Sequence, residues 1–261
     1  MIKAKKYFGQ NFLKDQVILE QIIQSIPKDE DFIIEIGVGL GDLTRKLLKN
    51  AYVKTFEIDQ ELVELAKKTF KQDIKDGKLE LIIADANKLE IWSDTSYFLV
   101  ANLPYYVATR LILKALEDKM CRGFLVMVQK EVADKFCAKD FESNFCALSV
   151  LCGIFGGCEL LFDVRPEYFL PKPKVMSSVI RLQKKEDYSD FLKNSAFKLF
   201  LKDCFSFPRK QLLSSFAKNK DRLKDILSNL NIKHDTRAHQ IGVESYLKIF
   251  NDIKDIYESR K

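Results

Sequence analysis

The sequence predicts an α/β protein: an open, mainly parallel sheet with helices on both faces, followed by a small all-helical C-terminal domain. Three observations predict it. Between Phe32 and Leu182, short apolar runs alternate with segments of helical periodicity, the form taken by βαβ units whose strands are covered on both faces. The first run, Phe32 to Ile36, ends at glycines and passes directly into a helical pattern. Beyond about Lys185 the strand signal disappears, and apolar residues recur only at helical spacing.

Taken in order, the expected strands are Phe32 to Ile36, Lys54 to Ile58, Glu80 to Ala84, Tyr97 to Ala101 and Phe124 to Val128. Gly41 to Lys49 and Gln60 to Phe70 set apolar residues at helical spacing among Lys and Glu, as crossover helices require. Two later runs, Glu159 to Phe162 and Ser177 to Leu182, flank Arg165-Pro166-Glu167-Tyr168-Phe169-Leu170-Pro171-Lys172-Pro173-Lys174. Its prolines deny that segment a helix, so an extended loop joining an antiparallel pair at the sheet edge is expected. Four helices follow: Phe191 to Phe205, Arg209 to Ala217, Arg222 to Leu230 and Val243 to Tyr257, the last with Leu247, Phe250, Ile253 and Tyr257 on one stripe.

The 261 residues, 47% of them apolar, suffice for one full α/β core and a small second domain. Lys, Glu or Asp interrupts every apolar run, and the basic start leads into polar Gly9-Gln10-Asn11 instead of an apolar signal core. A soluble, cytoplasmic protein without a membrane partner is expected. Cys121, Cys137, Cys146, Cys152, Cys158 and Cys204 form no C-x-x-C pair, and the two histidines, His234 and His239, lie far from them. Metal ligation needs clustered ligands and a reducing compartment disfavours disulfides, so buried reduced thiols and no metal are expected. Lys plus Arg number 43 against 37 Asp plus Glu, a net charge of +6 that is compatible with a polyanionic partner without demanding one. From Glu186 onward 15 basic residues face 11 acidic ones, so much of the surplus sits in the helical tail.

The strongest local constellation is Glu35-Ile36-Gly37-Val38-Gly39-Leu40-Gly41. Glycines at that point let the backbone turn sharply and let a ligand approach without a Cβ in the way, although a tight strand-to-helix turn with nothing bound reads the same. Glu57-Ile58-Asp59 and Asp85-Ala86 end the next two strands, at the carboxyl edge where open α/β sheets bind ligands. An acid after the second strand can accept both ribose hydroxyl protons, which suits NAD as well. The spacing, however, is G-x-G-x-G with no basic residue in the loop, which fits a phosphate-free nucleoside better than a pyrophosphate. S-adenosylmethionine is such a nucleoside and carries a sulfonium cation. Asp85 would accept from its adenine amine, and Glu35, Glu57 and Asp59 would make the pocket negative. Each carboxylate alone reads more readily as a solvated helix-capping acid, but three at three successive strand ends point to a ligand.

The fourth strand meets Asn102-Leu103-Pro104-Tyr105-Tyr106. The exocyclic amine of adenine is a poor nucleophile because its lone pair is delocalised into the ring. Acceptors on its two hydrogens hold it toward a tetrahedral geometry, and the Asn102 side-chain oxygen and the Leu103 carbonyl are the expected pair. Pro104 fixes the turn, and Tyr105 offers a face for a flipped base, worth about 1 to 3 kcal/mol. The competing reading is a Pro-terminated strand with aromatics in the core.

With Phe8-Gly9-Gln10-Asn11-Phe12-Leu13, Val128-Gln129-Lys130-Glu131-Val132-Ala133 and Phe169-Leu170-Pro171-Lys172-Pro173-Lys174-Val175, these motifs resemble, in order and along almost the whole chain, the rRNA adenine N6-dimethyltransferases. The resemblance implies a Rossmann-like S-adenosylmethionine methyltransferase sheet in a catalytic domain spanning 1–185, and a helical RNA-binding domain spanning 186–261. It implies dimethylation of two adjacent adenosines near the 3′ end of small-subunit (16S) rRNA, within a pre-ribosomal particle, by a monomer. Asn11, Leu13, Gly37, Glu57, Asp85 and Asn102 would line the cofactor, with Gly39, Ile58 and Ala86 beside them. Phe169 would stand near the target base opposite Tyr105, or else anchor its loop in the core. Arg209 and Lys210, in Phe205-Ser206-Phe207-Pro208-Arg209-Lys210-Gln211, would contact phosphates from the start of a helix. Pro208 and Gln211 replace an arginine and a threonine usual there, Met176 and His239 stand where acids are usual, and Cys152-Gly153-Ile154-Phe155 replaces a more polar stretch. Two alternatives stay open: a large-subunit rRNA methyltransferase conferring macrolide resistance, and a catalytically silent RNA-binding assembly factor.

Overall fold

The computed structural model describes residues 4–185, 188–193 and 195–258. The expected domain start at Glu186 and the Asn194 position of the expected helix 191–205 lie outside these residues. The described chain divides into two compact units, Met1–Ala133 with Glu159–Gln183, and Asp134–Cys158 with Lys184–Lys261. Each is described by itself.

The first unit opens with β1 (Phe12–Leu13) and α1 (Gln16–Gln24), then runs β2 (Phe32–Ile36), α2 (Asp42–Leu47), β3 (Tyr52–Glu57), α3 (Gln60–Thr69), α4 (Lys71–Lys75), β4 (Leu79–Ile83), β5 (Tyr97–Asn102), α5 (Ala108–Glu117) and β6 (Cys121–Gln129). The helix α6 (Lys130–Cys137) leaves this unit and leads to α7 (Ala147–Gly153) in the second; the chain then returns for β7 (Glu159–Val164), β8 (Phe169–Leu170) and β9 (Ser177–Gln183). The sheet order is β4-β3-β2-β5-β6-β9-β7. Strands β4 to β6 are parallel, and β9 pairs antiparallel with both β6 and β7. The Pro-rich segment thus joins an antiparallel pair at the sheet edge. It is not wholly extended, since Pro166–Tyr168 forms a 3₁₀ turn and β8 pairs with β1 through Phe12↔Leu170 and Leu13↔Phe169.

The order reverses between β2 and β5, because the chain runs outward from β2 to β4 and then returns to the other side of β2. With right-handed crossovers, α2 and α3 fall on one face and α5 on the other, and a crevice opens at the carboxyl ends of β2 and β5. The strands β2, β5 and β6 read as continuous apolar runs because both faces are covered: Ile33, Ile34, Phe98, Leu99, Val100, Leu125, Val126 and Val128 are all at most 2% exposed. At the crevice the strand ends stay side by side, as Gly37 N donates to Phe56 O at 2.8 Å and Ala84 N to Glu57 O at 3.1 Å.

Three helices of this unit, α1, α4 and α5, are not among those named from the sequence. Asp15 caps α1 by accepting from Val17 N and Ile18 N, both at 2.9 Å, and Ile18, Leu19 and Ile22 are its buried face. Leu111, Ile112, Ala115 and Leu116 bury α5.

The second unit adds α8 (Ser189–Lys193), α9 (Ser195–Cys204), α10 (Lys220–Asn229) and α11 (Val243–Glu258). Its core is aromatic: Phe200 packs against Phe250 and Tyr257 with ring centroids 5.5 and 5.7 Å apart, and Phe205 stacks on Tyr246 at 5.5 Å. The buried stripe of α11 is Tyr246, Ile249, Phe250, Ile253 and Tyr257, with Leu247 only half-buried on its flank. Residues 134–158 belong with these helices instead of with the sheet. Phe145 lies 6.3 Å from Phe205 and 6.5 Å from Tyr246, and Gly153 lets α7 meet Val243, where a Cβ would come within 2.4 Å of a Val243 methyl. A boundary at Lys185 therefore omits an excursion that only non-local packing defines.

The helix expected over 209–217 does not form. Residues 205–210 are turn, and a 3₁₀ segment begins only at Leu212. Gln211 bridges to Arg237 and Leu212 N donates to Thr236 O at 2.9 Å, so the backbone there is committed sideways to another segment. Of the six cysteines, Cys121, Cys152 and Cys204 are buried, whereas Cys137, Cys146 and Cys158 are only half-buried.

Candidate active site

One cleft gathers the carboxyl ends of β2, β3, β4 and β5. It is lined by the arm Phe8–Leu13, the glycine turn 36–40, Glu57 and Ile58, the loop 84–87, and Asn102 to Val107. Every residue expected to hold the cofactor, Asn11, Leu13, Gly37, Gly39, Glu57, Ile58, Asp85, Ala86 and Asn102, lies on its wall, as do Leu103, Pro104 and Tyr105.

The three glycines of the turn, Gly37, Gly39 and Gly41, all have positive φ. Gly39 has φ +55° and faces the Phe12 ring, to which a Cβ would come within 3.2 Å. At Gly41, the N-cap of α2 with φ +83°, a Cβ would sit 2.6 Å from the Phe70 ring. Only glycine satisfies both the backbone conformation and the close approach.

Among the described residues, the lining holds four carboxyl groups, Glu35, Asp42, Glu57 and Asp85, and no Lys, Arg or His. The Glu57 carboxylate accepts from Ile58 N and Asp59 N at 2.9 Å and from Gly39 N at 3.3 Å. Burial raises its pKa while these three N–H groups oppose the rise. Glu35 differs. It is 1% exposed and accepts from Thr44 Oγ1 at 2.7 Å, and burial pushes its carboxyl up to about 8. At neutral pH it is protonated and adds no negative charge, contrary to expectation. The native state then holds this proton between the ordinary carboxylate range and about pH 8, where the unfolded chain has released it. Stability falls as pH rises through that window, and Glu35→Gln flattens the fall, as denaturant titrations at pH 5 and pH 8 will show.

Asp59 is likewise not part of the wall. It is 1% exposed, caps α3, and is bonded to Lys5 and Gln10. The loop after β4 is pinned from behind: Ala86 O accepts from Trp92 Nε1 at 2.8 Å and from Lys114 Nζ at 3.2 Å. Beside Asp85 the Asn87 side-chain oxygen is buried and has no hydrogen-bond partner among the described residues. An acceptor-rich, cation-free wall with one orphaned buried oxygen fits a cationic nucleoside that brings its own donors, and fits a pyrophosphate poorly.

Asn102 closes β5. Its Nδ2 donates to Asn11 O at 2.9 Å, and Leu103 N donates to Met127 O at 3.1 Å. Val107 N donates to Pro104 O at 3.1 Å, closing the turn that holds Pro104 and Tyr105. The Tyr105 hydroxyl and Ser177 Oγ lie 2.6 Å apart, and burial raises the phenol's pKa against that bond, so Tyr105 stays neutral. Tyr106, 65% exposed at the lip, was not singled out by sequence.

Phe169 is not on the wall. It is 4% exposed and belongs to the core cluster with Phe12, Leu13 and Val179. The ring anchors its loop, because pairing with β1 turns it inward, and it offers no free face opposite Tyr105. Arg209 and Lys210 lie in the second unit in an exposed turn, where Lys210 Nζ sits 5.2 Å above the Phe207 ring. Pro208 is therefore a turn residue and not a helix start. Met176 uses its carbonyl to accept from Lys130 N at 2.9 Å, and His239 sits half-buried in a 3₁₀ turn. Among the described residues, no group of three His, Cys, Asp or Glu could hold a metal ion, and no helix is long and apolar enough to cross a membrane.

Residues 1–255 match the family described as Ribosomal RNA adenine dimethylase. The Ribosomal RNA small subunit methyltransferase A of Campylobacter jejuni (strain RM1221) is 51% identical over 259 residues, which cover 98% of this chain and 97% of that protein. The protein of the same name from Helicobacter hepaticus is 44% identical, with 97% and 92% covered. Among solved structures, a dimethyladenosine transferase from Plasmodium falciparum superposes with a TM-score of 0.80 at 27% identity, over 94% of this chain and 98% of that one. The 23S rRNA methyltransferase ErmE shares the fold, with a TM-score of 0.73 at 21% identity over 93% and 99%.

Proposed function

The chain belongs to the ribosomal RNA adenine dimethylase family, and from that premise we propose that it uses S-adenosylmethionine to dimethylate the N6 amines of two adjacent adenosines near the 3′ end of small-subunit rRNA. It does so as a monomer, in the cytoplasm, on a pre-ribosomal particle. Relatives named for the small subunit support the choice of rRNA, and the 44–51% identity extends over nearly the full length of both chains. The observation that carries the chemistry is Asn102: its amide is fixed at the end of β5 by the Asn11 carbonyl, on the wall of a cleft that holds carboxylates and, among the described residues, no cation.

When bound, S-adenosylmethionine supplies a methyl group on a positively charged sulfur. The chain's residues hold it and orient the amine. Glu57 is the acceptor for ribose hydroxyls, Asp85 and the Asn87 oxygen for the adenine amine, and Gly37 and Gly39 give backbone access. Asn11 and Leu13 close the wall from the arm. The Asn102 oxygen and the Leu103 carbonyl accept the two hydrogens of the target amine, drawing its lone pair out of the ring and toward the methyl group. Pro104 keeps the two acceptors convergent. Tyr105, neutral and held by Ser177, gives the flipped base one stacking face. The amine becomes acidic only as it gains charge, so no strong base is needed and positioning supplies most of the acceleration.

Mass spectrometry of small-subunit rRNA from cells with and without the gene tests this reading: one dimethyladenosine pair should vanish with the gene. Methylation of protein-free large-subunit rRNA, but not of purified small-subunit particles, would overturn it. A wild-type protein that binds particles but transfers no methyl group would leave only an assembly factor.

The exposed Arg209 and Lys210 are the proposed phosphate contacts of the helical unit. Replacing each by Ala should weaken binding to the particle and lower the slope of log K against log salt by about 1 per residue. An unchanged slope in a salt titration removes them from the interface.

A further inference from the structure

Beyond the β1–β8 pairing, the part of the N-terminal arm that precedes Asn11 is fastened through its side chains to one buried carboxylate. Lys5 Nζ donates to Asp59 Oδ1 at 2.7 Å and Gln10 Nε2 donates to Asp59 Oδ2 at 2.8 Å, while the Gln10 side-chain oxygen accepts from Lys5 N at 2.7 Å. Lys5 Nζ also lies 2.9 Å from Glu61, and Asp59 Oδ1 accepts from Glu61 N at 3.1 Å. Arm and helix start are thus joined through one closed network. Asp59 is 1% exposed with both oxygens committed, and it is absent from the cleft wall, so it is not placed to hold a ligand.

The residue after Gln10 is Asn11, whose carbonyl accepts from Asn102 Nδ2. A primary amide has a donor end and an acceptor end, and a carbonyl can take only the NH₂ end. The backbone position of Asn11 therefore decides which way the Asn102 amide is turned. Released from that carbonyl, the amide could present NH₂ to an amine, a donor facing a donor.

We propose that Lys5 and Gln10, by gripping Asp59, are positioning residues for methyl transfer: they hold the Asn11 carbonyl that turns the Asn102 oxygen toward the target amine. This rests on the amine methylation proposed above. The arm is a clamp whose fixed end is Asp59 and whose working end is the Asn102 amide.

The test uses full-length protein labelled with [15N]asparagine, in which the Asn102 side-chain NH₂ pair is assigned by its loss in Asn102→Ala. In Lys5→Ala/Gln10→Ala, this pair should shift and exchange faster with solvent while the melting temperature still reports a folded chain. Single-turnover methyl transfer to small-subunit particles should fall by about 100-fold, the loss that a displacement on the order of 1 Å produces. Lys5→Arg should restore most of the rate, and the double substitution should have no further effect in an Asn102→Ala background. If the double variant does not fold, Gln10→Ala alone carries the same measurements. Unchanged Asn102 NH₂ resonances, or an unchanged rate, overturn the clamp. A wild-type chain inactive on every rRNA would defeat the methylation reading instead, and the resonance measurement would still decide the clamp.

Discussion

Asn102→Ala lowers kcat for adenine methylation by about 10²- to 10³-fold while particle binding is unchanged. The magnitude is that of removing one preorganised polar group aimed at charge developing in a transition state. Here the group is an acceptor, and what develops is positive charge on the amine. Alanine removes the oxygen and leaves Asn11 O without its 2.9 Å donor, so the acceptor and the contact that fixes its direction go together. Asn102→Asp should not rescue: it sets a carboxylate oxygen against the Asn11 carbonyl, and its acceptor is no longer held. Single-turnover assays with labelled donor and a parallel particle-binding assay check both halves. A variant retaining more than a tenth of the rate would mean that Asn102 is only a strand-end residue.

Glu57→Ala weakens S-adenosylmethionine binding by roughly 10- to 100-fold, the factor that corresponds to losing hydrogen bonds to a charged group worth about 1.5–3 kcal/mol. The carboxylate is preorganised by three backbone N–H groups of Gly39, Ile58 and Asp59, and removal leaves those donors unsatisfied in a buried site, so the loop itself loosens. Because burial raises the Glu57 pKa, the carboxylate is lost on acidification earlier than an exposed glutamate's, and affinity should fall as pH drops through that range. Calorimetry with S-adenosylhomocysteine at two pH values checks affinity and sign. Unchanged affinity in Glu57→Ala would remove the residue from the cofactor site.

Much of the site was legible because its signals are local. The apolar run of β2, the glycines with obligatory left-handed backbone and the Pro-terminated β5 each announce themselves within a few residues, and the fold then brings their ends to one crevice. What escaped depends on partners far away in sequence. Strands β1 and β8 are two residues each and have no periodicity, so their pairing left no trace. Phe169 reads identically as a stacking face or a core anchor until that pairing turns it inward. Two buried acids end in opposite states: burial leaves Glu35 its proton, whereas at Asp59 burial pushes the carboxyl up but the bonds from Lys5 and Gln10 outweigh it and hold it below the usual range. The helix expected over 209–217 failed because a bridge to Arg237 claimed its first turn. By contrast, α1 went unexpected although its signal is local: an acid at Asp15 precedes Ile18, Leu19 and Ile22 at helical spacing.

The pairing of β1 with β8 also sets an order of events during synthesis. Residues 12 and 13 leave the ribosome early, yet their partners at 169 and 170 follow more than 150 residues later. Strand β9, which separates β6 from β7, comes later still. A nascent chain that ends before the Pro-rich loop can form the parallel half of the sheet, but its arm has no strand to lie against. The cleft wall is thus finished only once residues 169 and 170 have emerged, and a chain truncated before them should be unable to retain the methyl donor even where its glycine turn is intact.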